Sequence, residues 1–201
     1  MNIYKIKNRQ VLIKKLYDIE SVVLLGKGPT LEKYKSSENY DFIIGINDSV
    51  NLHECNMLLG NDYDTFERIS KKSYKKLEYI AMPITPHVDF KPGNKSYLDV
   101  IDLANKNGFT GDFIPYNLIT SAININYITL PTAITSTNNA AEFIKQIMIN
   151  VKNVALFGVG VNSGYHKEVF DAELNQYNDL HLSNIKSHIE TALEGKTVIF
   201  N

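Results

Sequence analysis

The stretch Ser21-Val22-Val23-Leu24-Leu25-Gly26-Lys27-Gly28-Pro29-Thr30-Leu31 joins an apolar, β-branched run to a glycine turn and then to a helix start. An α/β protein builds a seat for a phosphate or a nucleotide in this way. A strand carries the chain to the sheet edge, and glycines let the backbone come close to a ligand with no Cβ in the way. The helix that follows aims its free N–H groups and the positive end of its dipole at an anion. Gly26, Lys27, Gly28, Pro29 and Thr30 are therefore the first binding candidates.

Further apolar runs end in small or amide-bearing residues: Asn47-Asp48, Asn61-Asp62 and Gly158-Val159-Gly160. Ser136, Thr137, Asn138 and Asn139 open a later helix pattern. Amides both donate and accept, so they read the edges of a base or a sugar without adding charge. Each element also has a plainer reading. Asn-Asp after a strand is a common turn pair, and Ser136 suits a helix N-cap. Taken together, Asn47, Asn61, Ser136 and Gly158 outline one polar crevice.

Two familiar motifs fail. Leu31 stands where the third glycine of a dinucleotide fingerprint belongs, and no Gly-Lys-Ser/Thr closes a P-loop. Asp62-Tyr63-Asp64 has the Asp-x-Asp form that metal-using sugar transferases employ, but an acidic helix start explains it more simply, and no metal ligand is assigned. Of His53, His87, His166, His181 and His188, the residue expected to do chemistry is His181. It enters a helix from the side where a sheet-edge site lies, and an imidazole there titrates near neutral pH and can act as a base.

The elements that must position these residues alternate strand, turn and helix. Strands are expected at Ser21–Leu25, Phe42–Ile46, Met57–Leu59, Tyr79–Met82, Val154–Phe157 and Thr197–Phe200. Helices are expected over Asn8–Tyr17, from Thr30 to Lys35, over Thr65–Leu77 as a basic surface helix, and over Ser136–Asn150 and Ile185–Leu193. Residues 85–117 read as an irregular, lid-like segment with one helix near Tyr97–Asn105. The strands are continuously apolar, which predicts burial on both faces. The expected fold is a single α/β domain over 1–201 with a Rossmann-like, doubly wound, mostly parallel sheet. In such sheets ligands bind outside the carboxyl ends of the strands.

Composition narrows the partners. The chain has 201 residues and a net charge of −1, from 21 basic and 22 acidic residues. No global field attracts duplex nucleic acid. Cys55 is the single cysteine, which excludes an internal disulfide and a multi-cysteine zinc site. It reads as a small buried side chain. No run is long and apolar enough for a membrane span, and Met1–Arg9 lacks an apolar signal core, so a cytoplasmic protein is expected. The Asn-, Ile- and Lys-rich composition fits an A/T-rich genome, a class that includes many phages.

Val22–Leu31 resembles the Gly-x-Gly-Pro-Ser/Thr-Leu opening of bacterial CMP-sialic-acid-dependent sialyltransferases, and related turns occur in the motility-accessory and pterin-diphosphokinase-like group. Later landmarks follow in the same order. Gly45-Ile46-Asn47 is similar to the family's segment reading cytidine, and Gly60-Asn61 to its next donor-contacting asparagine. Thr135-Ser136 is similar to the start of the helix beneath the donor, and Val154–Val159 to the strand ending at the phosphate. His181-Leu182-Ser183-Asn184 resembles the segment carrying the general base. Where the family has Gly-Ile-Asp-Phe-Tyr, this chain has Gly158-Val159-Gly160-Val161-Asn162, and Tyr165 is left to supply the phosphate hydroxyl.

The resemblance implies a variant of the GT-A fold and an inverting, metal-independent transfer of a sugar from a CMP-activated donor to an acceptor hydroxyl. No cofactor beyond the donor substrate is implied. The alternative is a nucleotide-binding or nucleotide-sequestering protein that has lost the chemistry at Gly160. A diphosphokinase using magnesium and ATP, with Asp62 and Asp64, is a third option. The acceptor and any homo-oligomer are left open.

Overall fold

The structure, a computed structural model, describes residues 8–36, 38–88, 91–92, 94–118, 127–130, 135–159 and 179–201, with the backbone alone for 91–92 and 179–182. Among the described residues, ten strands lie in chain order: β1 (Ser21–Leu25), β2 (Phe42–Ile46), β3 (Met57–Leu59), β4 (Tyr79–Pro83), β5 (His87–Val88), β6 (Lys91–Pro92), β7 (Asp112–Leu118), β8 (Ile128–Leu130), β9 (Asn153–Phe157) and β10 (Thr197–Phe200). The helices are α1 (Arg9–Lys15), α2 (Tyr63–Arg68), α3 (Lys71–Tyr74), α4 (Tyr97–Lys106), α5 (Ser136–Ile147) and α6 (Asp179–Ala192).

Eight strands form one sheet in the order β10-β9-β1-β2-β3-β4-β7-β8, and every neighbouring pair is parallel. The short β5–β6 hairpin is antiparallel and separate from it. The protein is thus an α/β protein with a Rossmann-like, doubly wound sheet. From β1 the chain steps outward through β2, β3, β4, β7 and β8, then returns through α5 to place β9 on the other side of β1. The reversal of winding lies between β1 and β9, and this is where such sheets open a crevice.

The continuous apolar strands are explained by two cores. Val22 and Leu24 of β1 point into one, with Leu12 of α1, Ile144 of α5 and Ile189 of α6. Val23 and Leu25 point into the other, with Phe66 of α2, Tyr74 of α3 and Ile101 of α4. A fully buried aliphatic or Phe side chain stabilises by about 1.5–3 kcal/mol relative to an exposed one, so a polar residue on either face of β1 is disfavoured.

Helix ends follow local chemistry. Thr135 caps α5 by accepting the Asn138 amide. At the start of α4, the Asp99 carboxylate accepts from both the amide and the hydroxyl of Ser96.

Some local expectations need correction. The segment after Gly28 is a five-residue 3-10 helix, Pro29–Lys33, rather than an α-helix beginning at Thr30. Residues 65–77 do not form one surface helix; the chain breaks at Ile69 between α2 and α3, and Phe66 and Tyr74 are buried. Residues 85–117 are not an irregular lid alone. They hold α4 as expected and most of β7, a wholly buried strand paired with β4 and β8. Among the described residues, no helix is long and apolar enough to cross a membrane.

Candidate functional site at the carboxyl edge of the sheet

At the switch point the turns after β1 and β9 are bonded to each other. Gly26 donates its amide to the Phe157 carbonyl (2.8 Å), and Gly28 donates to the Gly158 carbonyl (2.6 Å). The Gly158 amide in turn donates to the Thr30 hydroxyl (2.8 Å). A Cβ on Gly26 would lie 2.2 Å from the Gly158 carbonyl oxygen, and Gly158 itself sits at φ +63°. The glycines are required so that the two turns can touch. The amides of Gly26 and Gly28 face protein rather than a ligand. The 3-10 helix from Pro29 is also too short to offer an anion seat.

Lys27, between those glycines, reaches across to the 3-10 turn Asn47–Asn51 that follows β2. Its Nζ lies 3.2 Å from Asp48 Oδ1, and Arg68 Nε of α2 approaches Asp48 Oδ2 at 3.3 Å. Asp48 is buried, and the two cations, one at each carboxylate oxygen, hold its charge.

Of the amides expected at the edge, Asn61 is bonded to Asn139, and Asn47 lies beside Gly60. Asn47, the first residue after β2, has φ 56°, a left-handed conformation that asparagine tolerates better than most residues. Its Oδ1 is buried with no hydrogen-bond partner among the described residues. Gly60, at the end of β3, leaves room there, because a Cβ would come within 3.3 Å of that oxygen.

Asn61 is the hub. Its Oδ1 accepts from the Tyr116 hydroxyl (2.6 Å) and from Asn139 Nδ2 of α5 (3.0 Å). The Tyr116 hydroxyl also lies 3.0 Å from the Gly60 carbonyl, and its one proton serves one acceptor at a time. Burial pushes this phenol well above its ordinary pKa, so it stays a donor. Asn139 is 0 % exposed, yet its Oδ1 has no partner among the described residues. An unmatched buried amide end costs about 1–3 kcal/mol. It is the kind of group that a ligand's polar edge satisfies.

Ser136 lies in the first turn of α5, buried, three positions before Asn139. Asn138 ties this end to α6 by donating to the Ile185 carbonyl (3.1 Å). His181 lies inside α6 rather than in a loop before it, because α6 starts at Asp179; its side chain lies outside the described residues. Tyr165 and Gly160 lie outside them too.

One pair at this edge went unread in the sequence. Asp62 follows Asn61 and makes no cap bond to α2. His87 Nδ1 lies 3.7 Å from Asp62 Oδ1. The His87 backbone runs parallel to Asp62, and its amide donates to the Asn61 carbonyl (3.0 Å). Burial, opposed by His87, pushes the Asp62 carboxyl above the ordinary range. Twenty-odd residues separate the two in sequence, and no local pattern announces the contact.

The sheet and this edge define a doubly wound α/β protein with buried amides at the carboxyl ends of its strands. No protein-family model matches the chain, and a search of curated proteins returns no significant match. Among the described residues, no three or more His, Cys, Asp or Glu side chains are placed to hold a metal ion.

Proposed function

We propose that the protein binds a nucleotide-activated sugar, CMP-linked as the sialyltransferase resemblance implies, and transfers the sugar to an acceptor hydroxyl with inversion and without a metal. The observation that carries this reading is the unmatched, fully buried end of Asn139 beside Asn61. With the unmatched Oδ1 of Asn47, it gives a nucleoside two buried polar positions at the carboxyl edge. Ser136, one helical turn before Asn139, completes the proposed donor seat. Gly26–Thr30 and Gly158 support this reading only by tying the turns after β1 and β9 together.

The reading also needs a hydroxyl facing the departing phosphate and a group to take the acceptor's proton. The resemblance implies Tyr165 for the first and His181 for the second.

Calorimetry with CMP, CDP, UDP and ATP tests the seat, and release of sugar from CMP-sialic acid tests the transfer. CMP is expected to bind preferentially, and Asn139→Ala to weaken it by about tenfold or more, the loss of one or two hydrogen bonds to a buried site. Equal CMP affinity in a folded Asn139→Ala protein would remove the basis of the reading. CMP binding with no turnover would favour a nucleotide-binding protein without transfer, the reading that the sequence departure at Gly160–Asn162 supports.

A further inference from the structure

We infer that Tyr116, acting through Asn61, fixes the hydrogen-bond polarity of Asn139 and so makes the proposed donor seat select a nucleotide whose base carries an amino group. This inference rests on the nucleotide reading above, gives that seat a base preference and names the positioning residue that sets it.

An asparagine amide can lie either way round, with its oxygen or its nitrogen toward a given neighbour. Distances sort the two ends here. The Tyr116 hydroxyl lies 2.6 Å from the Asn61 amide. That is an ordinary length for O–H···O and shorter than the usual range for N–H···O. Asn61 therefore turns its Oδ1 to the phenol. The same oxygen lies 3.0 Å from Asn139, an ordinary N–H···O length, so Asn139 turns its Nδ2 to Asn61. The end of Asn139 left over is Oδ1, which has no partner among the described residues.

Tyr116 is well placed to set this order. It is fully buried in β7, with β4 and β8 paired on either side. Burial, helped by the charge of Asp62, keeps the phenol protonated far above neutral pH. Asn61 and Asn139 are buried as well, which leaves little water to take the place of either partner.

The polarity has a chemical consequence. Asn139 offers an oxygen, and an oxygen takes a donor. A hydroxyl donates or accepts, so ribose and sugar hydroxyls are not sorted by it. Bases are. Cytosine carries an amino group at its 4-position, which donates, and uracil carries a carbonyl there, which sets one acceptor against another. Asn47 Oδ1, beside Gly60 at the end of β3, is a second unmatched oxygen and favours donors too. A site built to hydrogen-bond a ligand group rejects the analogue lacking it, because its own buried polar atom is left unpaired.

The test is calorimetry with CMP, with its analogue lacking the 4-amino group, and with UMP. The wild-type protein is expected to bind CMP about tenfold or more tighter than the other two, the cost of one unmatched buried acceptor. Tyr116→Phe frees Asn61 and Asn139 to turn either way. It is expected to bring the CMP and UMP affinities together, with UMP gaining. General damage to the seat weakens both nucleotides and gives UMP no gain.

Equal wild-type affinity for the three compounds would overturn the inference and leave the nucleotide reading standing. A folded Tyr116→Phe protein that keeps the full preference for CMP would overturn it as well. If Tyr116→Phe does not fold, Asn61→Asp decides. A carboxylate presents an oxygen to Asn139 whichever way it lies, so this variant is expected to keep the preference, and its loss overturns the role given to Asn61. Failure of the wild-type protein to bind CMP at all would overturn the nucleotide reading and this inference with it.

Discussion

Gly28 donates its amide to the Gly158 carbonyl across 2.6 Å, and this bond closes the switch point of the sheet. The nearby Gly26 has the tighter steric demand. A Cβ on Gly26 would lie 2.2 Å from the Gly158 oxygen, whereas one on Gly28 would lie 3.0 Å away. Gly26→Ala is expected to cost about 3 kcal/mol and Gly28→Ala about 1 kcal/mol, the upper and lower ends for overpacking. Urea unfolding of both proteins checks the order, and equal midpoints would contradict it.

The Asn61 hub makes two substitutions unequal. Tyr116→Phe removes one donor but leaves Asn61 bonded to Asn139. It is expected to cost about 0.5–1.5 kcal/mol. Asn61→Leu leaves the buried Asn139 amide without its acceptor and is expected to cost about 1–3 kcal/mol. Thermal or chemical melts give the ranking, and calorimetry should show CMP affinity falling further for Asn61→Leu.

Asp48 is clamped by cations of different burial. The Lys27 side chain is 15 % exposed and that of Arg68 is 36 % exposed. Solvent screens the more exposed pair, so Lys27→Met is expected to destabilise more than Arg68→Met. Equilibrium unfolding of the two variants decides it. A stability loss in Lys27→Met without a specific loss of nucleotide affinity would identify Lys27 as a structural cation.

Two carboxyls should shape the stability–pH curve in opposite senses. Asp62 is raised by burial, so its folded pKa lies above its unfolded one. Its contribution is full below the unfolded value and is lost as pH rises through the folded value. Asp62→Asn should therefore be more stable than wild type at neutral pH, with the gain vanishing toward acid. Asp41 is lowered, first by the Ser21 hydroxyl and then by the Ser21 amide. Its contribution is full above the unfolded value and is lost as pH falls through the folded one. Ser21→Ala should be less stable than wild type at neutral pH and converge on it at the acid end. Unfolding curves across pH measure both.

Burial pushes the Cys55 thiol up to about 12. The thiolate is the reactive form, so thiol reagents should label native protein only as fast as it opens. Rapid labelling in native buffer, complete on denaturation, would be inconsistent with the buried position.

Most strands were legible because burial on both faces writes an unbroken apolar run. Ser21–Leu25, Phe42–Ile46 and Met57–Leu59 appear with the expected bounds. β7 is not legible in the sequence although it is wholly buried. Pro115 lies inside it, and proline ordinarily argues against an interior strand because it lacks an N–H. Here Pro115 stands opposite Met82 in a parallel pair. The omission also hid Tyr116, whose hydroxyl anchors the hub. In the sequence the glycine turn resembles a ligand cradle, because a glycine needed for close approach looks the same whether the partner is a phosphate or the chain's own carbonyl. Asn47 and Asn61 were legible from their places after strands. Asp62 with His87 was not, because their contact depends on where the β5–β6 hairpin falls.

The strand order also bears on how the protein is made. β1 pairs with β2 after a short excursion, but its other neighbour, β9, enters the register at Asn153 opposite Ser21. A growing chain on the ribosome therefore holds β1 with one edge bare while the intervening strands and helices are synthesised. A bare, apolar edge is a template for pairing with another chain. Protection of the nascent half-sheet until β9 emerges is thus a demand that the topology places on the cell.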